Sequence, residues 1–239
     1  IAKKLFFCYI FFMINLLNLE KSALFRSLFA LDQIYIQIEH DEQEWKKTAP
    51  AICKEGCGSC CIDFEPDVLE IEALYMAAWL IQNEREKAIA ISDETYIWPR
   101  FLDYAKGCFL FDPESPYHCT VYEGRALICR LFGYSSDTGK DEKIRWKPCK
   151  FIPTNELTKG FEHRQYNEAE MIEKIGSLPP VMSHYLRQAL AIQPEDAGKT
   201  YPLRAILPRS IQKILTILKY LEIDISIDPD DFPTTPSAA

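Results

Sequence analysis

Four cysteines fall within nine residues in Cys53-Lys-Glu-Gly-Cys57-Gly-Ser-Cys60-Cys61, a C-x3-C-x2-C-C spacing. Thiolates are the soft ligands that select zinc, copper(I) or iron-sulfur clusters. Bringing four of them to one point from so short a stretch demands tight backbone turns. Gly56 and Gly58 between the cysteines suit the positive-φ turns that aim side chains and N-H groups inward. A second, dispersed set follows in Cys108, Cys119, Cys129 and Cys149.

The competing reading is a disulfide scaffold, which belongs to short, cysteine-dense secreted chains. With nine cysteines in 239 residues the chain is too long and too cysteine-poor for that, and it can bury a core without covalent staples. Adjacent cysteines such as Cys60 and Cys61 pair poorly with each other but can both face one metal or cluster. The sequence therefore points to a metal site holding zinc or an iron-sulfur centre. Eight cysteines with a vicinal pair exceed the needs of one tetrahedral zinc, which tilts the balance slightly towards iron.

Charge excludes one class of partner. A formal net charge of -8 argues against nucleic acid, which calls for a basic patch. No G-x-G-x-x-G or G-x-x-x-x-G-K loop is present. Tyr117 to Lys150 nevertheless carries seven basic residues against four acidic ones, net +3 in an acidic protein. A site with several thiolates stays negative after binding a divalent ion, so nearby cations would offset it. Arg125 and Arg130, bracketing Cys129, fit that role; Lys140, Lys143 and Lys147 read as solvated lysines around an exposed turn.

Leu5 to Ile14 is an apolar run after Lys3 and Lys4 that resembles a signal-peptide core but is short for a membrane span. Met13 is the expected start, with residues 1–12 outside the native product and Cys8 irrelevant. A membrane partner is disfavoured and a cytoplasmic location expected.

Periodicity predicts a fold that is mainly α with a small irregular α+β cysteine-cluster core and a helical C-terminal extension. The expected segments are an N-terminal helical segment at 1–45, the cysteine-cluster domain at 46–152, the extension at 153–223 and a disordered tail at 224–239. Met13 to Glu39 reads as a helix with Leu24, Leu28, Leu31, Tyr35 and Ile38 on one face, although Ile34 to Ile38 also suits a strand. Pro66 suits the first turn of a helix carrying Ile71, Leu74, Tyr75 and Ala78 and ending near Gln82. A helix is expected over Asp93 to Lys106. Short strands at Cys108 and Cys119, flanking the turn Asp112-Pro-Glu-Ser-Pro, would bring those two cysteines together. Further helices are expected at Asn167 to Ile175, Pro180 to Ile192 and Ser210 to Glu222, the last capped by Ser210.

The knot, then Cys108-Phe-Leu, then Cys119-Thr-Val-Tyr-Glu-Gly-Arg-Ala-Leu-Ile-Cys129-Arg130-Leu-Phe, resemble the YkgJ-type cysteine-cluster family, also called the CxxCxxCC or zinc- or iron-chelating domain. The resemblance covers about Ile52 to Cys149. It implies Cys53, Cys57, Cys60 and Cys61 as one ligand group, Cys108, Cys119, Cys129 and Cys149 as the other, and Tyr122, Arg125 and Arg130 as cofactor-binding residues. Ala126 stands where the family typically has proline, and three residues rather than two separate the first two cysteines. A flagellin lysine methylase shares the domain, which implies an iron-sulfur role in methyl transfer for at least one relative. Two function classes follow: a metal-binding protein, or an iron-sulfur enzyme that modifies a protein substrate.

The extra residue also gives Cys53, Cys57 and Cys60 the C-x3-C-x2-C spacing of radical S-adenosylmethionine enzymes. Cys61 and the lack of alternating strands and helices weigh against a radical enzyme. His118 reads as a turn histidine and Glu123 as a surface carboxylate. No Ser-His-Asp set, H-E-x-x-H or paired catalytic carboxylates are visible.

Overall fold

The computed structural model describes residues 17–49, 56–97, 107–157, 160–196 and 198–226. The apolar N-terminal run, the proposed start at Met13 and Cys53 lie outside them. The fold is mainly α with small antiparallel sheets. Among the described residues no helix is long and apolar enough to cross a membrane.

After a 3-10 turn at Leu17–Lys21, Ser22 caps α1 (Ala23–Lys46) by accepting the Phe25 N-H on its hydroxyl. Leu28, Leu31, Tyr35 and Ile38 are buried and Leu24 packs at the core edge. The segment Ile34 to Ile38 is therefore helical and not a strand. The helix runs seven residues past the expected end at Glu39, and that extension matters for the site.

A five-residue helix α2 (Ser59–Asp63) carries Cys60 and Cys61. Contrary to the expectation from sequence, Pro66 does not open the next helix. It precedes strand β1 (Asp67–Val68), and α3 (Glu70–Asn83) begins later because the Glu72 carboxylate accepts the Leu69 N-H at 2.8 Å. The apolar face Ile71, Leu74, Tyr75 and Ala78 is buried as expected. Helix α4 (Arg85–Ser92) was not anticipated. It ends where Glu94 adopts φ 59°, so Asp93–Ile97 does not start the expected Asp93 to Lys106 helix; the rest of that span lies largely outside the described residues.

Cys108 and Cys119 are not on two strands. A single bridge joins Phe111 and Cys119, supported by Thr120 N-H to the Leu110 carbonyl at 3.0 Å. Helix α5 (Leu127–Leu131) carries Cys129. Strands β2 (Asp137–Thr138), β3 (Ile144–Trp146) and β4 (Tyr166–Asn167) form an antiparallel sheet in that order, centred on buried Trp146. Lys140, Lys143 and Lys147 around it are exposed.

Asn167 caps α6 (Glu168–Ile175) through a capping box with Glu170. Helix α7 (Met182–Leu190) is shorter than expected because the Pro180 carbonyl is spent on the Ser136 N-H. Strand β5 (Tyr201–Pro202) pairs with β1, and α8 (Leu203–Ser226) follows directly. Ser210 is no cap: it lies buried within α8, which runs on through Pro208. The helix also extends past Asp224, where a tail was expected; residues 227–239 lie outside the described residues. Leu207, Ile211 and Ile214 of α8 join α1 and α3 in one continuous core. Each such buried aliphatic contributes about 1.5–3 kcal/mol over leaving it exposed.

Candidate metal centre

Gly58, at φ 64°, turns the chain into α2, and the Cys61 N-H closes the turn on the Gly58 carbonyl at 2.9 Å. A Cβ at position 58 would collide with His118, whose ring stacks on Phe111 and bonds the Gly56 carbonyl. His118 thus packs beneath the knot, and its Nδ1 is engaged by backbone.

The second cysteine set is held from elsewhere. The Cys108 N-H donates to the Cys61 carbonyl at 2.8 Å, tying the two sets directly. Glu65 accepts the Phe109 N-H at 3.2 Å and pairs with Arg204 of α8 at 2.7 Å, while Arg204 also reaches the Gly107 carbonyl at 2.9 Å. Glu72 accepts the Leu127 N-H at 2.7 Å and so caps the cysteine-bearing α5, whose own N-cap, Ala126, has no side-chain cap. Arg130, 3% exposed, donates to Glu39 at 2.9 Å, to the carbonyls of Arg125 and Glu123, and lies over the Tyr35 ring at 4.1 Å.

Between these anchors lies a cavity of about 400 Å3. Its lining brings together Cys57, Cys60, Cys61, Cys108, Cys119, Cys129 and Cys149, with Tyr122, Arg125 and Arg130. The two cysteine groups face one space. Cys53 lies outside the described residues. All seven described cysteines are free thiols. The Cys60 and Cys61 sulfurs are 3.9 Å apart. Among the described residues, no three His, Cys, Asp or Glu side chains are closed to metal-ligating geometry.

Burial and one thiol-thiol hydrogen bond set the electrostatics of these cysteines. A hydrogen bond from the Cys61 thiol holds Cys60 down to about 7, helped by Arg125, and pushes Cys61 up. Burial pushes Cys108 up to about 12 and raises Cys119, Cys129 and Cys149. Cys119 and Cys129 keep part of their surface, as cavity-lining residues do, yet protein encloses their sulfurs enough for burial to dominate. Such thiols stay protonated near neutrality unless a positive centre replaces the proton. Arg125 supplies a fixed positive charge near Cys60, Cys119 and Cys129. Its guanidinium lies 3.7 Å from the Tyr122 ring, which stacks on Tyr117. This soft, reduced donor set fits zinc or an iron-sulfur centre.

Sequence reasoning missed the polar wall of the cavity. Glu39, Glu42, Gln43 and Lys46 line it from the last two turns of α1 at helical spacing, with Glu42 paired to Lys46 at 2.5 Å. The periodic signal was present, but the helix was expected to stop at Glu39. Glu65 left no local signal, and for Glu72 only the Leu69 bond is local; its partner at the site, Leu127, is distant in sequence.

A mainly helical scaffold around a cavity lined by reduced thiols defines a cysteine-cluster protein. Residues 52–167 match the family model CxxCxxCC, described as "Putative zinc- or iron-chelating domain"; the match supports metal binding. No curated protein and no solved structure matches the chain.

Proposed function

We propose that this protein binds zinc or an iron-sulfur centre through thiolates drawn from Cys57, Cys60, Cys61, Cys108, Cys119, Cys129 and Cys149, with Cys53 completing the knot. The observation that carries this reading is the gathering of seven free thiols, from segments up to 92 residues apart (149 − 57), around one cavity. Zinc would be held as a closed structural ion, whereas an iron-sulfur centre would supply electron transfer or activation of a cosubstrate. Around either, Arg125 offsets thiolate charge, while Glu72 and Arg130 fix the helix that presents Cys129. Iron is slightly favoured because the thiols outnumber the ligands of a single tetrahedral ion. Free thiols suit a reducing compartment such as the cytoplasm.

A second reading is favoured by cavity size. About 400 Å3 lies within the range of small-molecule sites, roughly 300–1,000 Å3. That room suits an iron-sulfur enzyme modifying a protein substrate, with methyl transfer as the reaction that the family resemblance implies. Anaerobic purification, elemental analysis and a visible spectrum separate the two centres, and only an iron-sulfur result keeps the enzyme reading. Brown protein with acid-labile sulfide supports the iron-sulfur centre, and colourless protein with stoichiometric zinc supports the structural ion. Protein that takes up neither metal overturns both.

A further inference from the structure

We propose that Glu72 is a positioning residue that sets Cys129 in place before any metal arrives. Its carboxylate is 5% exposed, and each oxygen has a backbone partner. One accepts the Leu69 N-H at 2.8 Å, where α3 begins; the other accepts the Leu127 N-H at 2.7 Å, where α5 begins. Cys129 follows two residues later. A five-residue helix has few internal hydrogen bonds with which to hold itself, and Ala126 before it has no side-chain acceptor. The cap therefore comes from 55 residues away, and it fixes α5 to the long, well-packed α3. Burial pushes the Glu72 carboxyl up; its two backbone bonds oppose that shift, and Arg130, buried within α5, adds a smaller opposing effect.

One carboxylate thus ties the start of a core helix to the start of the helix that presents a ligand. Groups that orient a ligand in this way, removed singly, cost about 10- to 100-fold in metal affinity. The inference rests on Cys129 being a ligand, but its central bond does not require the metal. Two measurements test it. The first is release of the purified protein's own metal to excess EDTA, compared between wild type, Glu72→Gln and Glu72→Ala, with circular dichroism confirming folding. Release should quicken about tenfold in Glu72→Gln, which keeps one acceptor oxygen, and further in Glu72→Ala. A folded Glu72→Gln protein that releases metal within twofold of the wild-type rate overturns the inference.

The second is amide hydrogen exchange on wild-type protein stripped of metal, which decides the matter even where the variants do not fold. The Leu127 amide should be protected to a degree similar to Leu69. If it exchanges like a loop amide, or if the stripped protein loses the α5 region, Glu72 does not preorganise the site. Wild-type protein purified without metal would sink the metal reading, while the exchange result would still decide whether Glu72 holds Leu127.

Discussion

The knot and the dispersed cysteines invert their order of prominence between sequence and space. Cys57, Cys60 and Cys61 fall within five residues of the chain, yet Cys57 is exposed and meets Ser59 at 3.1 Å, on a turn shaped by two glycines in left-handed conformation. Cys108, Cys119 and Cys129 are scattered, yet the part-buried Glu65 with Arg204, and the buried Glu72 and Arg130, hold the backbone at two of them. Compactness in sequence draws attention to the knot, whereas long-range anchoring distinguishes which cysteine-bearing segments are held. The dispersed set should act as the fixed half of the site and the knot as the half that adapts.

The sharpest way to break this contrast is Arg130→Ala. It leaves Glu39 and two carbonyls without their buried cation, which should cost about 3–5 kcal/mol and lower the thermal midpoint strongly. A midpoint within 2 °C of wild type, about the shift of a minor surface change, would mean that the second set is not anchored as described. Cys129→Ser should weaken metal binding by more than about a hundredfold, beyond the effect of removing an orienting group. Retention of full metal in competition with a chelator would remove Cys129 from the ligand set.

Cys57→Ser should lower metal affinity less, and should change the stability of the metal-free protein by no more than about 0.5 kcal/mol, as expected at an exposed position. Equal losses for Cys57→Ser and Cys129→Ser would erase the difference between the halves. The gentlest test is chemical. In metal-free protein Cys60, held down to about 7, ionises as pH rises through neutrality, while Cys108, pushed up to about 12, stays protonated. Iodoacetamide mapped by mass spectrometry between pH 6 and 8.5 should therefore label Cys60 at a rate that rises and levels above pH 7, well ahead of Cys108. Uniform labelling would contradict it.

Much of this was legible from residues alone. The apolar stripes of α1, α3 and α8 and the helix beginning near Asn167 follow from periodicity and local hydrogen bonding, which are short-range properties. The positive-φ turns at Gly56 and Gly58 followed from spacing. What failed was decided at long range: Pro66 entered a strand because β5 pairs beside it, and α8 passed through Pro208 because its apolar face had core to cover. The cavity's cysteines could be named from the chain. Its polar wall could not, because the end of α1 was misplaced, and Glu65 and Glu72 find partners that sequence spacing does not reveal.

The grip of Arg204 on Glu65 and Gly107 bears on how the protein can be dissected. The recognisable signature ends at residue 167, but a side chain 37 positions later (204 − 167) clamps the loop leading into Cys108, and Leu203 beside it forms part of the cavity wall. A fragment trimmed to the signature would lose that clamp and open the chamber along one side. The segment that matches the family model and the stretch of chain that encloses the cavity thus have different borders, and expression of the shorter piece should yield a looser receptacle than the chain from which it was cut.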